Sequence, residues 1–321
     1  MKLDKLTLKK IKGDASFRSF YRKTKNKKNS IIVYAIKEKK NNLLIYDAVN
    51  RLLIENKIKA PKLYRENYKK NFLEIEDFGD NTVFNLLKRK KENKISIYKK
   101  AIDLLIRVQK IKQNKTKTFQ NKIYKLPTYD NQKLYSEAKL FIDWYAKKFI
   151  SKNKLPLLKI ALNKQIKFLL SNIKIKDNVF VHRDFHVSNL MQHKGQLAII
   201  DSQDALKGNK AYDLASLIDD VRYKTNKNFK DNIYRYYLKF NKNYINKDNF
   251  LNDFEILSVI RNMKIIGIFT RLAIRDKKPK YLNLIPYAWK LIEFRTKGSK
   301  KFNKLNYLLN LNFSKKMRNL K

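Results

Sequence analysis

One stretch limits what this chain can become: His182-Arg183-Asp184-Phe185-His186-Val187-Ser188-Asn189, followed by an apolar run that ends Ile199-Ile200-Asp201. An acid, an amide five residues later and a second acid can converge only if the chain between them doubles back. The intervening residues supply that hairpin: Leu190-Met191-Gln192, a turn at His193-Lys194-Gly195, then Gln196-Leu197-Ala198-Ile199-Ile200. Asp and Asn in a loop are usually turn chemistry, and His-x-Asp recurs by chance. Here an apolar run at 178–181 leads into the loop, so the acids sit at the mouth of a hairpin.

The pattern H-R-D-x-x-x-x-N with a strand-terminal Asp is that of kinase-type phosphoryl transfer. One Asp orients the substrate hydroxyl or accepts its proton, while an Asn and a second Asp hold magnesium at the nucleotide phosphates. Asp184 takes the catalytic role, and Asn189 and Asp201 are the metal ligands. Where a protein kinase continues D-F-G, this chain has Asp201-Ser202-Gln203, which argues against a protein kinase.

The chain resembles the aminoglycoside phosphotransferase superfamily of kinase-like folds, whose motif reads H-x-D-x-x-x-x-N, then I-D-x-x-x-A, then Y-D-L-A. The last two are matched at Asp201 to Ala205 and at Tyr212-Asp213-Leu214-Ala215. More narrowly, it is similar to the bacterial anomeric kinases that act on N-acetylmuramate and N-acetylglucosamine in cell-wall recycling. Three blocks carry that likeness: Gly13-Asp14-Ala15-Ser16-Phe17-Arg18, residues 201–208, and residues 261–281.

The resemblance implies an α+β, bilobal, protein-kinase-like fold. A β-rich nucleotide-binding lobe spans 1–79, and a helical catalytic and substrate-binding lobe spans 80–321. It implies ATP and Mg2+ as cofactors. Ala15, Ser16 and Phe17 would form the phosphate-covering loop, and Lys37, at the end of a strand, is the candidate to pair with phosphates. Glu76, Asp77 and Phe78 would be the hinge whose backbone meets adenine. His182 would order the catalytic loop and Asp213 would brace its backbone, both as structural residues. His186, Asp204, Arg261 and Arg271 are assigned to the substrate side. Arg261, Lys264, Arg271 and Arg275 recur at helical spacings, and either meet the lactyl carboxylate of N-acetylmuramate or bridge helices. Trp144 and Tyr145, with Glu137 and Asp143 nearby, either line a sugar pocket or form the apolar face of a helix.

Periodicity gives the other elements. A basic helix is expected over 4–12, strands over 17–23 and 30–36, and a helix over 42–56 in which Asp47 and Glu55 are ordinary surface acids, the alternative being that one of them pairs with a lysine. Strands follow at 60–64 and 71–79, then helices at 81–89, 95–111, 133–150 and 155–170. The polar stretch 112–125 reads as a mobile linker. Helices are expected over 212–223 and 252–275, and from 280, with a weakly periodic, lysine-rich tail from 298.

Composition narrows the class. At 321 residues the chain can bury a substantial core, and with no cysteine it has neither a disulfide framework nor a thiolate metal site. The three histidines, 182, 186 and 193, do not make a zinc site, because the acid–amide pattern already explains their loop. The start lacks the apolar region of a signal peptide, and no apolar window approaches membrane-spanning length. A soluble cytoplasmic protein is expected, with no membrane partner. The net charge of +47 invites a nucleic-acid reading. Lys, Asn, Ile and Tyr are abundant from end to end, however, while Gly, Pro and Trp number 6, 5 and 2. That pattern fits codon bias in a genome poor in G and C. The expected partner is therefore a small-molecule sugar substrate and no specific nucleic acid, with the chain acting as a monomer. A kinase of the same superfamily acting on an aminoglycoside, choline or another alcohol is the first rival. A catalytically idle basic protein that binds RNA or anionic surfaces is the second.

Overall fold

Ser30-Ile31-Ile32-Val33 and Phe72-Leu73-Glu74-Ile75 alternate apolar with polar or bulky β-formers, the pattern of strands with one buried face. In the computed structural model, which describes residues 8–11, 18–26, 28–35, 42–176, 178–240 and 246–319, these runs pair with each other. The elements in chain order begin β1 (Leu8–Ile11), β2 (Ser19–Lys25), β3 (Lys28–Tyr34), α1 (Asn42–Glu55), β4 (Leu63–Asn67) and β5 (Phe72–Glu76). There follow α2 (Val83–Lys88), α3 (Lys94–Gln109), β6 (Lys115–Lys117), β7 (Ile123–Lys125), α4 (Asn131–Ala138), a π-helical turn (Phe141–Ala146), α5 (Lys147–Phe149) and α6 (Leu155–Ser171). The chain ends with β8 (Val179–Val181), β9 (Leu190–His193), β10 (Gln196–Ile199), β11 (Leu206–Gly208), α7 (Ala211–Ile218), α8 (Lys227–Lys239), α9 (Lys247–Ile274), α10 (Ile285–Thr296), α11 (Asn303–Asn312) and α12 (Lys315–Arg318). The α+β expectation holds, with the sheet N-terminal and the helices C-terminal.

The chain forms two compact units, Met1–Pro127 with His182–Lys207, and Thr128–Val181 with Gly208–Lys321. The expected boundary at 79/80 falls just after β5. The segments from α2 through β7, and the β9–β10 hairpin, group with the sheet.

In the first unit the sheet runs β1-β2-β3-β5-β4 and every neighbouring pair is antiparallel. One face packs Ile31, Val33, Leu73 and Ile75 against Leu43 and Tyr46 of α1. Each such side chain contributes roughly 1.5–3 kcal/mol when fully buried. The expected basic helix over 4–12 is corrected where it is described: residues 8–11 are an edge strand, Leu8 opposite Lys23 and Ile11 opposite Phe20. Its half-buried Leu8 and Ile11 flank two exposed lysines, a strand edge blunted by charge. The expected mobile linker is likewise structured. β6 and β7 pair antiparallel, Thr116 and Thr118 are buried, and Phe119 packs on the sheet's core. Asp47 is not a surface acid: it is buried and accepts a hydrogen bond from Arg51 one turn later, at 3.1 Å. Burial raises its pKa, and Arg51 opposes that.

The second unit is helical. Asp219, at the end of α7, is only 1% exposed in its side chain and meets three other helices. It accepts from Lys230 of α8 at 2.7 Å, Ser258 of α9 at 2.6 Å and Arg295 of α10 at 2.7 and 3.1 Å. Burial alone would raise this carboxyl's pKa, but Lys230 and Arg295 outweigh it and hold the group below the ordinary carboxylate range. Three helices among the described residues had no distinct signal in the sequence: α8, α11 and α12. No helix among the described residues is long and apolar enough to cross a membrane.

Gly267 sets how closely α9 approaches the π-helical turn. A Cβ added there would lie 2.3 Å from the carbonyl carbon of Leu140 and 2.5 Å from the Phe141 nitrogen. Those are backbone atoms, which cannot rotate away. Gly267→Ala should therefore destabilise the protein by about 1–3 kcal/mol, the usual cost of overpacking, although alanine favours an isolated helix by about 1 kcal/mol. Urea unfolding measures it, and a gain in stability would rule out the close approach.

Candidate active site

The β9–β10 hairpin turns through Lys194 and Gly195, both at positive φ (48° and 77°), as a two-residue primed turn requires. Its register sets Ile199 opposite Leu190 and Ala198 opposite Met191. Beyond the paired residues the Ile200 N–H donates to the Asn189 carbonyl at 3.1 Å. The ends of the hairpin therefore stay together, and Asn189 and Asp201 leave it side by side.

The loop before β9 is knotted by its own backbone. The His186 N–H donates to the Asp184 carbonyl (3.0 Å) and the Asn189 N–H to the His186 carbonyl (2.9 Å). The Asn189 side-chain nitrogen also donates to the Asp184 carbonyl, at 3.0 Å. That bond fixes the amide and turns its oxygen away from Asp184's backbone. His182 is buried and its ring Nε2–H donates to the Ile200 carbonyl at 3.1 Å. Arg183 and Asp201 both sit in the left-handed region, at φ 73° and 63°. Such residues cost on the order of 1–3 kcal/mol each and persist where surrounding contacts enforce them.

Asp201 divides its carboxylate. Oδ1 accepts from Nη2 of Arg18 at 2.8 Å, and the side chain stays 42% exposed. The Arg18 side chain is only 3% exposed. Its Nη1 donates to Gln203 at 2.9 Å, and its guanidinium lies over the Tyr46 ring at 5.2 Å and the Phe20 ring at 5.7 Å. Burial pushes the Tyr46 hydroxyl up to about 12, with the Arg18 charge opposing. One turn of α1 beyond Tyr46, Asn50 accepts from Ser202 at 2.6 Å. The Asn189 amide oxygen and the second Asp201 oxygen are hard, neutral-or-anionic oxygen donors. That set fits Mg2+, which takes few protein ligands and fills its shell with water and phosphate.

The hinge candidates lie where β5 leaves the ladder, since pairing ends at Glu76. Phe78 is buried against Met191, Ala198 and Ile200, so an apolar floor runs from the hinge to the residue before Asp201. The Asp77 side chain is taken by Arg22 (2.5 and 3.1 Å) and by the Gly79 N–H (2.7 Å), so only its backbone can serve a ligand. Glu76 accepts weakly from the Lys62 N–H, at 3.5 Å. Of the residues assigned to the substrate, Asp204 is exposed, held by Gln203 at 2.8 Å and near Arg183 at 3.5 Å. His186 is buried, at 3% exposure.

Ala15, Ser16, Phe17 and Lys37 lie outside the described residues. Asp213 is fully buried in the first turn of α7, and Arg261 is buried within α9. Arg271 is half-buried, with its pKa lowered first by burial and then by Arg275. Lys264 takes the helix-bridging alternative, pairing with Glu137 at 2.9 Å. Glu137 also accepts from Tyr129. Tyr145 is buried, donates to the Met317 carbonyl at 2.6 Å and accepts from Trp289 at 3.0 Å, which makes it a packing residue. The sequence reading did not assign Arg18, Tyr46, Asn50, Ser202 or Gln203 a role. Arg18 carried a signal as the last residue of the block at 13–18, and Ser202 and Gln203 as members of the block that begins at Asp201; Tyr46 and Asn50 carried none.

The phosphotransferase enzyme family, APH, matches residues 7–245. An N-acetylmuramate/N-acetylglucosamine kinase of Pseudomonas aeruginosa is 29% identical over 287 residues, covering 88% of this chain and 81% of that protein. One of Neisseria meningitidis is 28% identical over 281 residues, covering 85% and 81%. Amicoumacin kinase hAmiN, solved in complex with AMP-PNP, Ca2+ and Ami, superposes with a TM-score of 0.63 at 14% identity, covering 91% of this chain and 89% of that one. At that identity the likeness is one of fold, the kinase-like fold that the motif leads one to expect.

If Asn189 and Asp201 hold magnesium, Asp201→Ala should abolish most of the gain in ATP affinity that the ion gives, because one of the two candidate protein oxygens is lost. Calorimetric titration of nucleotide with and without magnesium reads the difference. A variant that kept the whole metal-dependent gain would remove Asp201 from the metal site.

Proposed function

The chain belongs to the phosphotransferase enzyme family, and from that premise we propose that it is an ATP-dependent kinase of the anomeric hydroxyl of N-acetylmuramate or N-acetylglucosamine. The observation that carries the sugar is the likeness, over most of both chains, to kinases of those two substrates. The anomeric position rests on the C-terminal block from Arg261 through Tyr281, the part of the sequence most like the cell-wall sugar kinases.

In this reading Asp184 accepts a hydrogen bond from the sugar hydroxyl, orients its oxygen toward the γ-phosphorus and takes its proton. Asn189 and Asp201 hold the metal. Magnesium bound there neutralises charge on the phosphate oxygens. Met191 and Ile200, packed with Phe78, give the adenine ring an apolar surface, and the backbone of 76–78 offers its edge hydrogen bonds. Because the transition state spreads charge over the equatorial oxygens, positioning and charge supply most of the acceleration.

The acids of the second unit favour a neutral or anionic acceptor over a polycation. Among the described residues beyond 213, Asp219 and Asp253 are buried and committed to cations or backbone N–H groups. Asp231, Glu255, Asp276 and Glu293 each pair with a Lys or Arg within 2.8 Å. Such a distribution leaves few acids to gather around an aminoglycoside, whereas a carboxylated sugar meets a strongly basic protein.

Asp184→Asn should lower kcat by about 10²-fold or more, the size of general-base and positioning effects, with little change in nucleotide affinity. Parent-like turnover at saturating ATP and sugar would take Asp184 out of the chemistry. The product should be a sugar 1-phosphate, identified by phosphorus coupling to the anomeric proton in NMR. A 6-phosphate, or turnover of choline or aminoglycosides but neither sugar, would leave the kinase standing and discard the substrate.

A further inference from the structure

We infer that Arg18 is a cation of the triphosphate site: it neutralises Asp201 so that the nucleotide phosphates can approach that acid. The inference rests on the kinase reading above and adds a residue to it. The site has an electrostatic difficulty of its own making. Its metal-binding carboxylate is 42% exposed, and a triphosphate brought to it places two anions at short range, which repel strongly wherever water is partly excluded.

Arg18 answers that difficulty by position. It stands just before β2, its guanidinium reaches Asp201 Oδ1 at 2.8 Å, and Gln203 and the Tyr46 ring fix its plane. Its charge is nearly withdrawn from solvent, so bulk counter-ions screen it little. Among the described residues β3, the strand expected to carry a phosphate-pairing lysine, holds one cation only, Lys28 at its exposed start. Tyr46 and Asn50 of α1 face this arrangement, Tyr46 beneath the guanidinium and Asn50 on Ser202. Asp47, the buried acid of α1, is engaged by Arg51 instead. Arginine suits the task because its planar fork can hold a carboxylate with one nitrogen while keeping other N–H groups for further acceptors.

The test is binding of adenosine, ADP and ATP in EDTA, with no metal and no turnover. The parent should bind ATP more tightly than adenosine. Arg18→Gln should lose affinity on the order of ten- to a hundredfold for ATP, the worth of one charge-assisted contact, less for ADP and none for adenosine. Asp201→Asn placed on top of Arg18→Gln should restore most of the ATP loss, because the uncompensated acid is gone. Arg18→Gln strands a buried acid and can fail to fold, so Asp201→Asn is also compared with the double variant Arg18→Gln/Asp201→Asn. Neither leaves a lone carboxylate, and the single variant should bind ATP at least about tenfold more tightly. Equal ATP affinity in that pair, or a loss in Arg18→Gln that is the same for adenosine as for ATP, overturns the inference. A parent that binds neither adenosine nor ATP would instead count against the kinase reading itself.

Discussion

Ile200 is held from both sides of its backbone, and the site is built on that hold. Its N–H donates to Asn189 and its carbonyl accepts from the buried ring of His182, each at 3.1 Å. The first bond closes the hairpin beyond its last paired residues, and the second ties the hairpin to the start of the catalytic loop. With Ile200 fixed, Asp201 must turn at once, and its φ of 63° is that turn. A slip of one residue in β10 would turn its buried side chains to the other face and carry Asp201 out of its place beside Asn189. The register of β9 and β10 is accordingly what sets the two candidate metal ligands side by side.

Charge shapes the molecule in a second way. Seventy-five Lys and Arg face 28 Asp and Glu, so each acid has cations to choose from, and the structure places several acids deep inside. Asp219 joins four helices, and Asp253 accepts from the backbone of Lys174 and Ile175 at 2.8 Å and from Asn209 at 2.8 Å. Removing one partner from such a buried set leaves a charge without compensation and costs about 3–5 kcal/mol. Exposed pairs such as Lys227–Asp231 add little. The basic excess thus dresses the surface, while the few buried pairs carry the electrostatic specificity of the helical unit.

Much of the fold could be read from periodicity because most long elements bury one clear face. Helices α1, α3, α6 and α9 appear close to where apolar spacing puts them. The misreadings share a cause. Residues 8–11 and 112–125 are short, lysine-rich pieces whose structure comes from a partner strand and not from their own pattern. β1 exists because β2 offers a ladder, and β6 because β7 lies across from it and Phe119 finds the sheet's core. α8 is also rich in charge and tyrosine, and its buried Lys230 is an apolar position only by virtue of Asp219. A hydrophobic pattern cannot announce a buried lysine.

The site divides in the same way. Asp184, Asn189 and Asp201 must come from one loop and one hairpin, so their spacing along the chain is nearly fixed and can be read directly. Arg18 comes from another part of the chain, 183 residues before the acid it meets. Nothing about that distance is constrained, since any strand of the sheet that faces Asp201 could supply a cation. A lysine on the neighbouring strand was the natural guess because it follows the usual arrangement, not because this sequence required it. What the sequence did contain was an arginine followed, two residues on, by Phe20. The rings of Phe20 and Tyr46 suit a buried guanidinium, because their faces attract its charge without competing with Asp201 for its N–H groups.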